Sequence, residues 1–128
     1  MIVSNTLYRS KYWHDLEAYL SSSKDLAIII VTDTGSEYKP SSANLFTVDS
    51  KSVSMTQLLA QKNVTVCWTL AEPAAIMESL YYGVPVLLFA ETDEQRAMAK
   101  RVERAGVGSF INNITELDKV SVLEDDSN

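Results

Sequence analysis

Apolar and polar positions change period repeatedly along this chain. Met1 to Ser4 reads as a short strand, with a turn at Asn5 and Thr6. From Ser10, an apt N-cap, the run KYWHDLEAYLSS places Trp13, Leu16 and Leu20 at i, i+3 and i+7, with Tyr12 and Tyr19 on the flanks, which predicts an amphipathic helix. LAIIIVT, residues 26–32, is apolar without alternation and suits a strand covered on both faces, as in a parallel sheet. DTGSEYKPSSAN breaks regularity through Gly35, Pro40 and Asn44, and Leu45 to Val48 predicts a third strand.

The second half repeats the rhythm. Met55, Leu58 and Leu59 mark a short helix ending near Gln61, followed by the strand VTVCWT. A helix from about Pro73 to Tyr82 has Pro at its first position and Gly83 beyond its end, where a left-handed residue is needed. The strand VPVLLF follows. Asp93 or Thr92 caps another helix running to Ala105, Gly106 stops it, and SFI makes a last strand. Strands alternating with helices over short loops predict an α/β, Rossmann-like parallel sheet with helices on both faces. Residues 1–112 form this domain, and 113–128 make an acidic, poorly ordered C-terminal segment ending in LEDDSN.

Composition narrows the function classes. The net charge of −6 argues against nucleic acid, whose phosphates call for clustered Lys and Arg. Arg96, Lys100, Arg101 and Arg104 alternate with Glu103 at helical spacing, the pattern of a solvated helix face. No window approaches the roughly 20 apolar residues that span a bilayer, and Met1 to Val3 do not start a signal peptide, so membrane contact is not expected and the cytoplasm is the expected location. Cys67 is the only cysteine and lies in an apolar strand, which predicts a buried, inert thiol. His14 is also alone, so no metal site is expected.

The loops after VTVCWT and VPVLLF open at the same, carboxyl edge of a parallel sheet, where ligands of this fold class bind. Thr69 to Ala75 and Ala90 to Gln95 are therefore expected to be the two walls of one crevice. Carboxylates and amides there suit the vicinal hydroxyls of a sugar. The same residues also suit a helix N-terminus, where negative charge is worth roughly 0.3–1 kcal/mol.

The runs QLLAQKNVTVCWT, ESLYYGVPVLLFAETDEQ and AKRVERAGVG carry a family likeness. The chain resembles the C-terminal, nucleotide-sugar donor-binding lobe of a GT-B glycosyltransferase, of the UDP-glycosyltransferase family. The likeness rests on Gly83-Val84-Pro85, a Glu five residues before that glycine, and an acid-Gln pair past the next strand. It implies a UDP-sugar as donor substrate, bound by Glu78 on the ribose, by Glu94 with Gln95 on the sugar, and by Thr69 at the entry to the diphosphate turn. Leu70, Ala71 and Glu72 stand where the family has His-Gly-Gly, and Ala74 and Ala75 stand at phosphate-contacting positions. Pro73 removes an N–H donor and Glu72 adds negative charge, both adverse to an anion at a helix N-terminus. No aromatic lies near Ser52, where the family stacks its base on Trp, and Asn5 and Thr6 replace a glycine-rich turn.

The family's acceptor pocket and catalytic base belong to an N-terminal lobe without a counterpart here, so no catalytic residue is assigned and no cofactor is expected. Three readings follow: a donor lobe needing a separate second lobe, a non-catalytic binding or interaction protein on the same fold, and an epimerase half with unassigned acid and base. An expected apolar rim of Leu70, Ala71 and Ala90 predicts a homo-oligomer or a partner chain supplying the second lobe.

Overall fold

The computed structural model describes residues 1–22, 26–33, 37–61 and 63–112. Gly35 and the segment 113–128 lie outside the described residues.

Among the described residues, six strands form one parallel sheet: β1 Ile2–Val3, β2 Ile28–Thr32, β3 Leu45–Asp49, β4 Cys67–Leu70, β5 Val86–Phe89 and β6 Gly108–Phe110. Their spatial order is β3-β2-β1-β4-β5-β6. Order reverses between β1 and β4, the switch point of a doubly wound Rossmann-type sheet. The two residues of β1 pair on both sides, Ile2 with Ile29 and Cys67, and Val3 with Ile30 and Trp68.

Among the described residues, five helices connect the strands: α1 Asn5–Tyr8, α2 Trp13–Ser21, α3 Met55–Leu59, α4 Pro73–Tyr81 and α5 Asp93–Arg104. Strand side chains alternate between two apolar layers, which is why the strands read as unbroken apolar runs. Val3, Ile28, Ile30, Trp68, Leu70, Leu87 and Phe89 pack with Leu7 of α1 and with Leu16 and Leu20 of α2. Ile2, Val31, Cys67, Val86 and Leu88 pack with Leu58 and Leu59 of α3, Ile76 of α4, and Ala99 and Val102 of α5. Helices therefore cover both faces. Among the described residues, no helix is long and apolar enough to cross a membrane.

Local chemistry sets the helix ends. Ser54 and Gln57 form a reciprocal capping box at α3, and the Thr92 hydroxyl accepts from the Gln95 N–H to start α5. Gly83 and Gly106 have φ of 72° and 80°, so α4 and α5 end on residues that adopt the left-handed region without strain. Two expectations shift. The chain after β1 is a four-residue helix capped by Ser4 rather than a bare turn. Ser10 does not cap α2, which starts at Trp13; its hydroxyl donates to the Leu7 carbonyl and accepts from the Tyr12 N–H.

Candidate functional site

Two regions at the carboxyl edge of the sheet gather polar side chains. At the switch point, Ser4 follows β1 and Thr69 lies in β4. The Ser4 hydroxyl donates to Thr69 Oγ1 at 2.9 Å, and Thr69 donates to the Leu70 carbonyl at 3.0 Å. Thr6 Oγ1 lies 3.1 Å from Ser4 Oγ; since a serine has one hydrogen to give, Thr6 is the donor there. Both Ser4 and Thr69 are buried. Beside them the Asn5 amide donates to Asp33 Oδ1 at 2.9 Å, past the end of β2, and Arg9 reaches the other oxygen of Asp33 at 3.7 Å. Side chains that bond one another occupy the place where a dinucleotide fold admits its ligand.

The second region lies between the starts of α4 and α5. It is an open groove of about 580 Å³, with Ala71, Glu72 and Pro73 on one wall and Thr92, Glu94 and Gln95 on the other. Met98 and Arg101 continue the α5 wall. Glu94, Met98 and Arg101 are spaced i, i+4 and i+7, so one helix face presents all three. This spacing was available in the sequence, but the basic residues of α5 read there only as a solvated face. Arg101 adds a cation to the lining that also includes Glu72 and Glu94.

The groove wall on α5 is held in place by caps. The Gln95 side-chain carbonyl accepts from the Glu91 N–H at 2.7 Å, leaving its NH₂ group for other acceptors. Glu91 itself is engaged, accepting from the Lys11 N–H at 3.1 Å. The Tyr12 hydroxyl donates to the Ala90 carbonyl at 2.6 Å, and its ring packs on Phe89. Burial, then the nearby Glu91 carboxylate, push the Tyr12 phenol above its ordinary pKa, with Arg96 opposing, so it keeps the proton it donates. The helix-cap use of these polar residues is thus realised, and Glu94 stays exposed at the groove.

On α4, Glu72 is the N-cap residue but makes no side-chain cap, and Pro73 follows at the first helical position. Ala74 is exposed and Ala75 half-buried in that first turn. Glu78 lies in the second turn, half-buried and not among the residues lining the groove. It is close enough to Cys67 to raise that thiol's pKa. Burial is the main cause and takes Cys67 to about 11, with the Ser79 hydroxyl beside it opposing. The thiol is buried and protonated, as a structural cysteine should be.

Two sequence expectations meet a different geometry. Thr69 is fully buried with its hydroxyl used internally, so it fixes the switch point rather than facing the groove. Leu70 and Ala90 are 5% and 3% exposed, and Ala71 is 2% exposed although it reaches the groove. The expected apolar rim is absent because parallel strands covered on both faces stay buried to their carboxyl ends.

No protein-family model matches the sequence. No curated protein matches it either. Solved structures do match. A structure described as the glycotransferase of kitacinnamycin superposes with a TM-score of 0.72 at 17% identity, over 96% of this chain and 34% of that one. Spinosyn forosaminyltransferase SpnP gives a TM-score of 0.68 at 14% identity, over 97% and 35%. The glycosyltransferase SnogD from Streptomyces nogalater gives 0.62 at 16%, over 96% and 35%. The chain has the fold of a glycosyltransferase lobe. It resembles the C-terminal lobe of the GT-B type and spans about a third of the length of these three structures.

Proposed function

We propose that this chain is a nucleotide-sugar-binding lobe of glycosyltransferase type that retains hydroxyl recognition, grips the diphosphate weakly and transfers no sugar alone. The observation that carries this reading is the groove itself: Glu94 and Gln95, at the start of α5, face Glu72 and Pro73, at the start of α4, across one opening at the carboxyl edge. The exposed Glu94 carboxylate accepts from sugar hydroxyls, and the Gln95 NH₂ donates to them while its carbonyl caps the helix. In this reading UDP-sugars are the ligands, Glu78 approaches the ribose from the second turn of α4, and a separate lobe supplies the acceptor and general base. Support for the separate lobe comes from the coverage, since the chain accounts for about a third of each solved relative.

The test is calorimetric titration of the 128-residue chain with UDP, UDP-glucose and UDP-N-acetylglucosamine. A UDP-sugar is expected to bind more tightly than UDP, and Glu94→Gln to weaken the sugar by roughly tenfold or more, the worth of a charge-assisted hydrogen bond. Gln95→Glu keeps the capping oxygen and removes the donor, and is expected to weaken it less. Absence of heat with every UDP-sugar from a folded chain sinks the reading, and turnover by the chain alone sinks the requirement for a second lobe.

A second reading, a non-catalytic binding or interaction protein on the same fold, is favoured by one wall of the groove. Glu72 sets a carboxylate ahead of α4, and Pro73 lacks the N–H that a phosphate would use there. The same titration separates the two readings.

A further inference from the structure

The sheet ends in two edge strands of different character. At β6 the Phe110 N–H points outward and is taken by the Glu103 carboxylate at 3.2 Å, a bond that guards this edge against a further strand. At the opposite edge, β3 pairs with β2 on its inner side. The ladder between them is bounded by the Ile28 N–H on the Asn44 carbonyl at 3.0 Å and by the Ser50 N–H on the Thr32 carbonyl at 2.9 Å. Backbone direction alternates along a strand, so Phe46 and Val48 also turn their backbone to β2, and Thr47 turns its N–H and carbonyl outward. Among the described residues, neither of these two Thr47 groups is bonded.

The outer side of β3 lacks the usual defences of an edge. Phe46, Thr47 and Val48 bring no charge and no proline, and the register with β2 runs without a bulge. Phe46 is 52% exposed and Thr47 is exposed on the other face, so the strand is uncovered there. On either side the outward groups are closed locally: the Leu45 N–H donates to the Ser42 carbonyl at 3.2 Å, and the Asp49 carbonyl accepts from Ser52 and Val53 at 3.0 and 3.2 Å. Pairing at this edge therefore centres on Thr47.

That centre is self-complementary. Two copies of β3 set antiparallel about a two-fold axis at Thr47 exchange N–H···O bonds between their Thr47 residues. The next pair, Phe46 against Val48 of the second copy, is of the close, non-hydrogen-bonded kind and occurs twice by symmetry, an aromatic against a β-branched residue on one face. An axis at Leu45 or Asp49 would instead oppose groups that Ser42, Ser52 and Val53 already engage.

We propose that β3 is a self-association surface, through which two copies of this chain pair antiparallel about Thr47 and extend one sheet through both. The contact is short. Five residues a side is well below the roughly 20–30 of a standard interface, so the dimer is weak, with a dissociation constant of order 0.1 mM. The strand order sets β2 and β1 between β3 and β4, so this pairing stands or falls independently of what binds between α4 and α5.

The test is analytical ultracentrifugation of the intact chain, with amide hydrogen exchange, at about 10 µM and about 1 mM. Mostly monomer is expected at the low concentration and mostly dimer at the high one, with exchange of the Thr47 N–H slowing about fourfold between them, as mass action requires. Thr47→Pro removes an N–H that the ladder to β2 does not use, and Phe46→Lys sets a cation against Val48 of the second copy. Each is expected to raise the dissociation constant about tenfold or more. Tyr81→Lys, at the 82% exposed end of α4, is expected to leave it unchanged. A monomer at about 1 mM would overturn the proposal. So would a dimer whose Thr47 exchange does not depend on concentration, or one that Tyr81→Lys abolishes and a folded Phe46→Lys chain retains.

Discussion

The two openings at the carboxyl edge of the sheet lie one strand apart and have opposite characters. At the switch point between β1 and β4, the polar groups are tied to one another: Ser4, Thr6 and Thr69 pass hydrogens along a chain ending on the Leu70 carbonyl, and Asn5 is tied to Asp33. In the groove between α4 and α5, Glu72, Glu94 and Arg101 have their charged ends at the solvent side of the walls, and Gln95 retains its NH₂. One region has turned its hydrogen-bonding capacity into cohesion, and the other has kept it for a visitor. The lesson is that topology marks where a crevice can form, while the side chains decide whether it stays open.

If that contrast is right, substitutions at the two places will sort into stability effects and binding effects. The largest expected effect is Leu70→Ala on the sealed side. Leu70 is buried in the layer beneath α1 and α2, so the truncation is expected to cost about 2–5 kcal/mol. Urea unfolding with an unchanged slope checks it. A near-neutral outcome would mean that Leu70 is not the core residue described here. For the same reason Leu70→His is expected to destabilise the fold instead of restoring a phosphate ligand.

Next comes the open side. Glu72→Gln with Pro73→Ala removes a negative charge and returns one N–H to the start of α4, and is expected to tighten UDP by about 1.5–3 kcal/mol, some ten- to a hundredfold. The same pair should shift unfolding by no more than about 1 kcal/mol, since Glu72 makes no side-chain cap and Pro73 is exposed at the first helical position. Calorimetry and urea titration on one preparation read both. A gain in stability without a gain in affinity would erase the distinction between the openings.

Slightly smaller is the effect of breaking the seal's hydrogen-bond chain. Ser4→Ala removes the cap of α1 and strands the partner hydroxyl, at an expected cost of about 1–3 kcal/mol. Combined with Thr69→Val it should show a coupling of about 0.5–3 kcal/mol in a double-mutant cycle. Strictly additive costs would show that the two hydroxyls do not act together. The smallest effect is expected at the lip of the groove, where Thr92→Ala loses the cap of α5 and costs about 1 kcal/mol by thermal unfolding.

Much of this architecture was legible in the chain. Gly83 and Gly106 signalled their helix ends, Pro73 its helix start, and the unbroken run from Ile28 to Thr32 a strand buried on both faces. Strand starts were read early: VTVCWT is a strand only from Cys67, where β1 and β5 become available as partners. Helix α1 was missed because four residues hold too little period, although Ser4 ahead of Asn5 was a usable cap signal. In the site, Glu94 and Gln95 were legible because they follow an apolar strand and precede a helix. Leu70 and Ala90 were read as rim residues because a sequence does not show on which residue a strand gives way to solvent. The plug formed by Ser4, Asn5, Thr69 and Asp33 was out of reach, since it depends on strand order, which places residues separated by 65 positions side by side.

The shortness of β1 bears on how the chain is made. Ile2 and Val3 emerge from the ribosome ahead of their second neighbour in the sheet, beginning at Cys67, by about 3–13 s at the usual 5–20 residues per second. Until then only β2 can flank them, and one side of the eventual centre stays uncovered. The sheet therefore closes from its middle, late, when the second half arrives beside a strand that has waited for it.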